Sequence, residues 1–492
     1  MPPSCNGCLL AEKESPGRFT EVTGDGDLGV LIVGEASGEA EAESGRPFER
    51  GAMAGSILQK VFRNIGLNRE RFWITNIIRC RPPRNWLEGA PWEHAAIKHC
   101  SSNLDRVIRG LRPRAIVALG GVATRELTRM AGKKRTVSYL RGYPIPSRRT
   151  RLEQKKDRVL DDIPVVPSFH PSFIAHGQGK VMGLLEDDIL TAVEIAAGRR
   201  EVVFNMREAV IYEKTREAME RLYQEALFDP ELLITYDIET AASVGVDEDA
   251  VLEYARSYEV ATSESSPEDE VEMAEVLPEF DVGSLDTKTA VIKTIQFSIA
   301  PGTGVSIPWE AGYAYLAYAT LALPNPKAGH NTLMFDDRIL EREGVVINGQ
   351  RWDTLWMFHM WQPDLPANLQ TVAQKFGMPA PWKHLAGGDL EWYGAADVDA
   401  VQRIMRQLPD RLRADGLWES YTRYVLQFVR VLFGMERRGI PVNGLKLAEL
   451  RGWIAAEVER MMGELQPLIP LEVRPHEKEE PYAGIMYVPI GV

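Results

Sequence analysis

Val30-Leu31-Ile32-Val33-Gly34-Glu35-Ala36-Ser37-Gly38 is a short apolar run that stops on a glycine and a carboxylate. A run of this length, apolar on successive residues and bounded by Gly, reads as a strand buried on both faces. The same pattern recurs outward from it, in Phe72-Trp73-Ile74-Thr75-Asn76, Ala115-Ile116-Val117-Ala118-Leu119-Gly120 and Pro164-Val165-Val166-Pro167. Between these runs, Ser56–Ile65 and Pro91–Gly110 carry helical apolar spacing. The βαβ rhythm predicts an α/β fold for residues 1–200, a parallel sheet sandwiched by helices with its chemistry at the carboxyl ends of the strands.

A second α/β unit is expected from about residue 203 to 415. Val202-Val203-Phe204 reads as its first strand, Ala218–Leu227 as an amphipathic helix, and Leu232-Leu233-Ile234-Thr235-Tyr236 as a buried strand. Residues 243–286 are acidic and aperiodic and read as a solvated insertion before β character resumes over Ala290–Ser298. Residues 416–492 read as a short helical segment with a Pro- and charge-rich tail after Pro470.

The formal net charge of the 492 residues is −13. Fourteen acidic residues and one basic residue between Asp247 and Asp286 account for all of it. Residues 50–160 hold 25 basic and 7 acidic side chains, so an acidic chain carries a strongly basic region suited to a polyanion. No run approaches 18 consecutive apolar residues, which argues against a membrane span. The start, Met1-Pro2-Pro3-Ser4-Cys5-Asn6-Gly7-Cys8, has no secretory pattern, and four cysteines make no disulfide scaffold. A cytoplasmic location is expected.

The cysteines, Cys5, Cys8, Cys80 and Cys100, all fall in the first 100 residues. A C-x2-C pair with two dispersed partners suits an iron–sulfur cluster at least as well as zinc, whose structural sites more often use two close pairs. Around them stand Gly34-Glu35-Ala36-Ser37-Gly38, Gly45-Arg46-Pro47-Phe48, Ile74-Thr75-Asn76, Cys80-Arg81-Pro82-Pro83 and His170-Pro171-Ser172. In this order they resemble the GEAPG, GRPF, TN, CRPP and HPS motifs of the family 4 uracil-DNA glycosylases. The resemblance implies a 4Fe–4S cluster on the four cysteines and a DNA substrate.

It also implies roles that fit the residue chemistry. A flipped base is read on its Watson–Crick edge in a pocket. Phe48 would stack on the uracil, and the Asn76 amide would pair with O4 and N3–H. His170 would stabilise charge on the departing base, and Glu35, with Glu41 as a second candidate, would position water or stabilise the sugar cation. Lys133-Lys134-Arg135, Arg148-Arg149 and Lys155-Lys156 would contact phosphates. The chain departs from the family at Ser37, where Pro is usual, and at Ala42, where Asp is usual. Glu49–Gly55 is longer than the usual turn, and His176-Gly177-Gln178-Gly179-Lys180 replaces a common Leu-Arg ending.

Asp237-Ile238-Glu239 follows a buried strand and puts two carboxylates on one face, an arrangement that calls for cations. With His330-Asn331-Thr332-Leu333-Met334-Phe335-Asp336 and Tyr393-Gly394-Ala395-Ala396-Asp397, it resembles the DxE, NxxxFD and YxxxD motifs of DnaQ-like 3′–5′ exonucleases. The likeness is to the proofreading domains of family-A DNA polymerases in particular. It implies an RNase H-like mixed sheet, with two Mg²⁺ or Mn²⁺ ions on Asp237, Glu239, Asp336 and Asp397. Tyr393 would orient the attacking water, and Asn331 and Phe335 would bind the substrate strand.

Phe428–Asn443 resembles the start of a family-A polymerase thumb, and about fifty residues follow it. Palm and fingers cannot fit there. The combination resembles virus-type replication polymerases that carry an N-terminal glycosylase-like domain, which implies a polymerase half that is either a separate partner chain or a part outside this sequence and, for a virus, the host cytoplasm as location. The expectation is a DNA replication or repair protein joining uracil recognition or excision to proofreading exonuclease activity. The alternative is a silent uracil-binding domain and exonuclease acting as a non-polymerising subunit or scaffold of that polymerase.

Overall fold

The computed structural model describes residues 5, 7, 8, 10, 19–130, 136–150, 157, 159–175, 179–241, 290–385, 389–438 and 443–468. The acidic segment 243–286, the basic runs Lys133-Lys134-Arg135 and Lys155-Lys156, and His176-Gly177-Gln178 lie outside them. Two compact units divide at residue 430, namely 1–430 and 431–492. The first contains both α/β domains.

The first domain is built on a five-stranded sheet in the order β2-β1-β3-β5-β4. Its strands are β1 (Val30–Ala36), β2 (Trp73–Ile78), β3 (Ala115–Leu119), β4 (Ile145–Pro146) and β5 (Pro164–Ser168). Four of them run parallel, while the two-residue edge strand β4 is antiparallel to β5, so the expected parallel sheet ends in one reversed edge. The apolar runs alternate faces as a pleat requires. Val30, Ile32, Val117 and Val166 join one core, and Leu31, Val33, Ile116 and Val165 the other.

Flanking elements are α1 (Glu39–Ser44), α2 (Met53–Asn64), α3 (Glu93–Leu111), α4 (Gly121–Thr128), α5 (Pro171–Ala175) and α6 (Met182–Ala196). Helices α2, α5 and α6 cover the first face, and α3 and α4 the second.

The second domain has a six-stranded sheet in the order β11-β10-β7-β8-β9-β6. Its strands are β6 (Ile211–Glu213), β7 (Ile234–Ala241), β8 (Val291–Ser298), β9 (Thr303–Pro308), β10 (Lys327–Gly329) and β11 (Arg351–Asp353). It is mixed as expected: β8 runs antiparallel to both β7 and β9, and β6, β10 and β11 run parallel to their neighbours.

The expected strand at Val202-Val203-Phe204 is not one. Val202 packs instead on the core of the first domain and Phe204 is exposed, so this stretch is a connection, and β6 at Ile211–Glu213 takes the edge.

Around this sheet lie α7 (Arg216–Phe228), α8 (Ala311–Ala322), α9 (Asp336–Arg342), α10 (Thr354–Trp361), α11 (Leu369–Lys375) and α12 (Leu390–Met405), while α13 (Leu426–Arg438) spans the boundary at residue 430. Residues 416–430, read from sequence as part of the thumb-like segment, bury Tyr421, Leu426 and Val429 in the core of the second domain. In the unit 431–492 the main element is α14 (Gly444–Leu465), with Leu445, Trp453 and Val458 exposed. Among the described residues no helix is long and apolar enough to cross a membrane.

Candidate functional sites

Parallel register brings Gly34 of β1 opposite Asn76 of β2, and Leu119 of β3 opposite Ser168 of β5, so the first site gathers at the carboxyl ends of the strands. A Cβ on Gly34 would stand 2.4 Å from Asn76 Oδ1 and 2.5 Å from Phe48 Cζ. Only glycine there lets ring and amide close over the strand end. Phe48 is buried and sits in the left-handed region at φ 49°. Both flanking chain directions are held: Glu41 accepts from the Phe48 and Gly38 N–H groups, and the Arg69 guanidinium donates to the carbonyls of Pro47 and Phe48. Burial pushes the Glu41 pKa up although these N–H donors oppose it.

The amide of Asn76 is 1% exposed and its Oδ1 has no hydrogen-bond partner, while its Nδ2 lies 3.5 Å from Ser37 Oγ. A buried acceptor left open is costly, and it fits a ligand donor that arrives later. Ser37 also meets Thr20 Oγ1 at 3.0 Å, so the residue found where Pro is usual ties the amide to the chain behind it.

The His170 ring faces Phe48 with centroids 5.7 Å apart. Its Nδ1 lies 3.3 Å from the Ser172 N–H, which donates to it, and 2.6 Å from Ser172 Oγ. That leaves the ring proton on Nε2, aimed away from Ser172. Burial lowers the His170 pKa to about 4, so the ring is a neutral donor near pH 7. Glu35, the last residue but one of β1, is half-buried. A cavity of about 320 Å³ beside Phe48 is lined by Arg46, Glu49, Arg50, Arg69 and Glu70.

Arg149 is not available to phosphate as expected. It is 4% exposed and bonds Asp105, Ser101 and the Glu126 carbonyl, while Arg148 pairs with Asp162. An arginine satisfied in this way serves the fold.

All four cysteines are buried, and Cys8, Cys80 and Cys100 share the core on the sheet face opposite Phe48. Cys8 N–H donates to the Cys5 carbonyl at 3.1 Å, folding the C-x2-C turn, and Asn103 Nδ2 approaches Cys100 Sγ at 3.8 Å. Three buried thiols in one apolar core, with Cys5 one turn away from Cys8, are the donor type that fits an iron–sulfur cluster, whose ligands are thiolates shielded from water.

In the second domain, one carboxylate oxygen each from Asp237, Glu239 and Asp397 lies within 4.8 Å of the others. Asp237 and Glu239 are alternate residues of β7, and Asp397 comes from α12. A Cβ on Gly394 would collide with Gln296 Cδ at 2.5 Å, and Gln296 is the cross-strand partner of Asp237. Glycine one turn before Asp397 therefore sets how closely α12 lies on the sheet. Asp336 joins from the start of α9, where its Oδ1 accepts the Ile238 N–H at 3.0 Å. Burial and mutual repulsion raise the pKa of Asp237 well above its ordinary value, and that of Glu239 to about 8; burial raises that of Asp336 to about 8. Such a set is at ease only with cations, and its all-oxygen donors fit Mg²⁺ or Mn²⁺.

The turn carrying Asn331 (φ 66°) is held by Asp353, whose carboxylate accepts the N–H groups of Asn331, Leu333 and Leu355. Phe335 caps α9 and packs on the core. Tyr393 lies one turn before Asp397, and its hydroxyl is 2.6 Å from Lys383 Nζ.

Sequence reasoning missed four of these contributors: Asp353, Lys383, Trp382 and Arg69. Lys383 Nζ lies 2.6 Å from Asp397 Oδ2, and Trp382 Nε1 donates to Asp397 Oδ1. A Trp-Lys pair just before the Tyr393 motif was the one available signal; Arg69 and Asp353 gave none.

The uracil DNA glycosylase superfamily model matches residues 22–192. A type-4 uracil-DNA glycosylase of Thermotoga maritima is 36% identical over 187 residues, 37% of this chain and 85% of that protein. A DNA polymerase I of Rhizobium leguminosarum is 29% identical over 152 residues, 28% of this chain but only 15% of that protein. Among solved structures, RNase D of Escherichia coli aligns over 47% of this chain and 51% of its own, at 15% identity and a TM-score of 0.29. With its motif residues converging at the carboxyl ends of the parallel strands and a relative matched over most of its length, the chain belongs, through its first domain, to the type-4 branch of the uracil DNA glycosylase superfamily.

Proposed function

We propose that the chain acts on DNA at two sites, releasing uracil at the first and removing 3′-terminal nucleotides in a metal-dependent reaction at the second. The observation that carries the first activity is the open Asn76 Oδ1, which meets the Phe48 ring over Gly34 while that ring faces His170. An extruded uracil stacks on Phe48, gives N3–H to Asn76 Oδ1 and takes a bond at O4 from Nδ2. The neutral His170 donates Nε2–H to O2, where negative charge collects as the glycosidic bond breaks. Glu35, at the strand end, orients water toward the sugar. Glu41 acts as a positioning residue, because both its oxygens are taken up in holding Phe48 and the start of α1. Arg46 and Arg50, exposed beside Phe48, meet the phosphates. Cys5, Cys8, Cys80 and Cys100 hold a 4Fe–4S cluster that braces this domain.

For the second activity the convergence of Asp237, Glu239, Asp336 and Asp397 carries the reading. Two divalent ions held there would supply Lewis-acid stabilisation of the attacking and leaving oxygens. Tyr393 orients water, Lys383 restrains both Tyr393 and Asp397, and Asn331 and Phe335 meet the terminal nucleotide. The DNA polymerase I likeness supports DNA as the strand acted on.

The test uses a labelled single strand with one internal uracil. In EDTA the protein should leave an alkali-labile site at uracil and an intact 3′ end; with Mg²⁺ the 3′ end should also shorten. Asp237→Ala should lose the shortening alone. Tight binding with no alkali-labile product would reduce the first domain to a uracil-binding module.

A further inference from the structure

Tyr143 belongs to the first domain, two residues before β4, yet its side chain is fully buried in the core of the second. Its ring meets Trp382 edge-on, with centroids 6.5 Å apart and planes at 84°. The surrounding seam is specific. Gln370 Nε2 donates to the Ser138 carbonyl at 3.0 Å, Gln374 Nε2 to the Gly142 carbonyl at 3.3 Å, and Lys375 pairs with Asp187. Behind it the Arg141 guanidinium is buried against Asp188, which also accepts Ser168 Oγ at 2.6 Å at the end of β5. On its other side the Trp382 indole N–H donates to Asp397 Oδ1.

We propose that Tyr143 is a positioning residue for the carboxylate cluster of the second domain. Its ring fixes the Trp382 indole at the angle from which the N–H holds Asp397, so the glycosylase-like domain completes its neighbour's metal centre. An indole has two free torsions, and a single N–H bond does not set both; packing on the ring does. Removing the ring opens a cavity at the indole and lets it turn. Asp397 then loses the donor that aims one oxygen, and partners of this kind govern metal affinity. The proposal rests on reading the carboxylate cluster as a metal centre.

The test compares full-length wild type, Tyr143→Phe and Tyr143→Ala. Mn²⁺ binding is followed by the electron paramagnetic resonance of free Mn²⁺, with the Mg²⁺ dependence of 3′ shortening in parallel. Uracil release in EDTA reports on the first domain. Tyr143→Phe keeps the ring and should match wild type. Tyr143→Ala should bind Mn²⁺ about tenfold more weakly and need correspondingly more Mg²⁺ for half-maximal rate, with the saturated rate and uracil release near wild type. Wild-type Mn²⁺ affinity in Tyr143→Ala overturns the proposal, as does equal impairment of Tyr143→Phe. Should Tyr143→Ala unfold, Tyr143→Leu fills the seam without an aromatic edge and is read by the same two outcomes. Mn²⁺ binding to wild type that Asp397→Ala leaves unchanged overturns the metal reading itself, and the proposal with it.

Discussion

The ammonium of Lys383 lies 2.6 Å from Asp397 Oδ2 and 2.6 Å from the Tyr393 hydroxyl, so one internal cation ties together two residues that sequence had assigned to metal and water. Burial works against its charge, yet Asp397 and Tyr393 hold its pKa above the ordinary lysine value. Four carboxylates are thus compensated in part by the chain itself, and the remaining repulsion falls on Asp237, Glu239 and Asp336.

Removing that cation should be costly. Lys383→Met leaves Asp397 buried without its partner, and breaking a buried pair on one side typically costs about 3–5 kcal/mol. Denaturant unfolding should show a loss of that order, and 3′ shortening should fall at every Mg²⁺ concentration. An unchanged unfolding midpoint would show that the pair contributes nothing.

Metal removal should invert the pH dependence of stability. Glu239 and Asp336 have folded pKa values near 8, above those of unfolded carboxylates. Their contribution is therefore complete at acid pH and is lost as pH rises through about 8. In EDTA the melting temperature should drop between about pH 5 and pH 8, and Mn²⁺ should restore it most at the upper end. Glu239→Gln should flatten the slope, raise the EDTA melting temperature and abolish Mn²⁺ binding.

His170 gives the opposite sign. Its folded pKa of about 4 lies below the unfolded value, so the unfolded chain takes up the extra proton between roughly pH 6.5 and 4, and stability falls as pH falls through that window. The contribution reaches up to about 3 kcal/mol at the acid end. Titration of the ring by NMR should give the low value. Uracil release should not vary with His170 ionisation between about pH 5.5 and 8, and His170→Ala should lower it by about 10²–10³-fold.

Glu41 should matter through Phe48. Glu41→Ala leaves the Phe48 and Gly38 N–H groups without their acceptor and frees a left-handed residue that Arg69 then holds alone. Binding of uracil-containing DNA should weaken about tenfold, as the loss of about 1–2 kcal/mol of ordering would require. Glu41→Gln, which keeps one acceptor, should recover part of it. Equal binding by all three proteins would separate Glu41 from the pocket.

Cys80 lies two residues beyond β2, in the same core as Cys8 and Cys100. Cys80→Ser should bleach the brown absorbance near about 400 nm expected of a cluster and lower the iron content, with the first domain losing stability. Zinc in place of iron in the wild type, measured by elemental analysis, would replace the cluster reading.

Much of the fold was legible from local pattern. The runs beginning at Val30, Phe72, Ala115 and Pro164 are β1, β2, β3 and β5, because a strand buried on both faces has no polar alternation to disguise it. Val202-Val203-Phe204 misled for the same reason. It is apolar because Val202 packs on the first domain, and an apolar triplet alone does not say which neighbour covers it. The short strands β6, β10 and β11 have three residues each, too few to carry a period.

The sequence by itself determined the chemistry on offer: two α/β domains, four clustered cysteines, a phenylalanine, amide and imidazole in family order, and carboxylates alternating on a strand. Those are properties of residue type and spacing, which backbone geometry converts directly into faces and edges. Tertiary structure alone decided which groups face one another. It gave both Glu41 oxygens to backbone donors, buried Arg149, set Lys383 against Asp397 and placed Tyr143 of one domain against Trp382 of the other. Such pairings join residues from a few to more than two hundred positions apart, and burial, by excluding water, is what turns their proximity into ionisation, orientation and affinity.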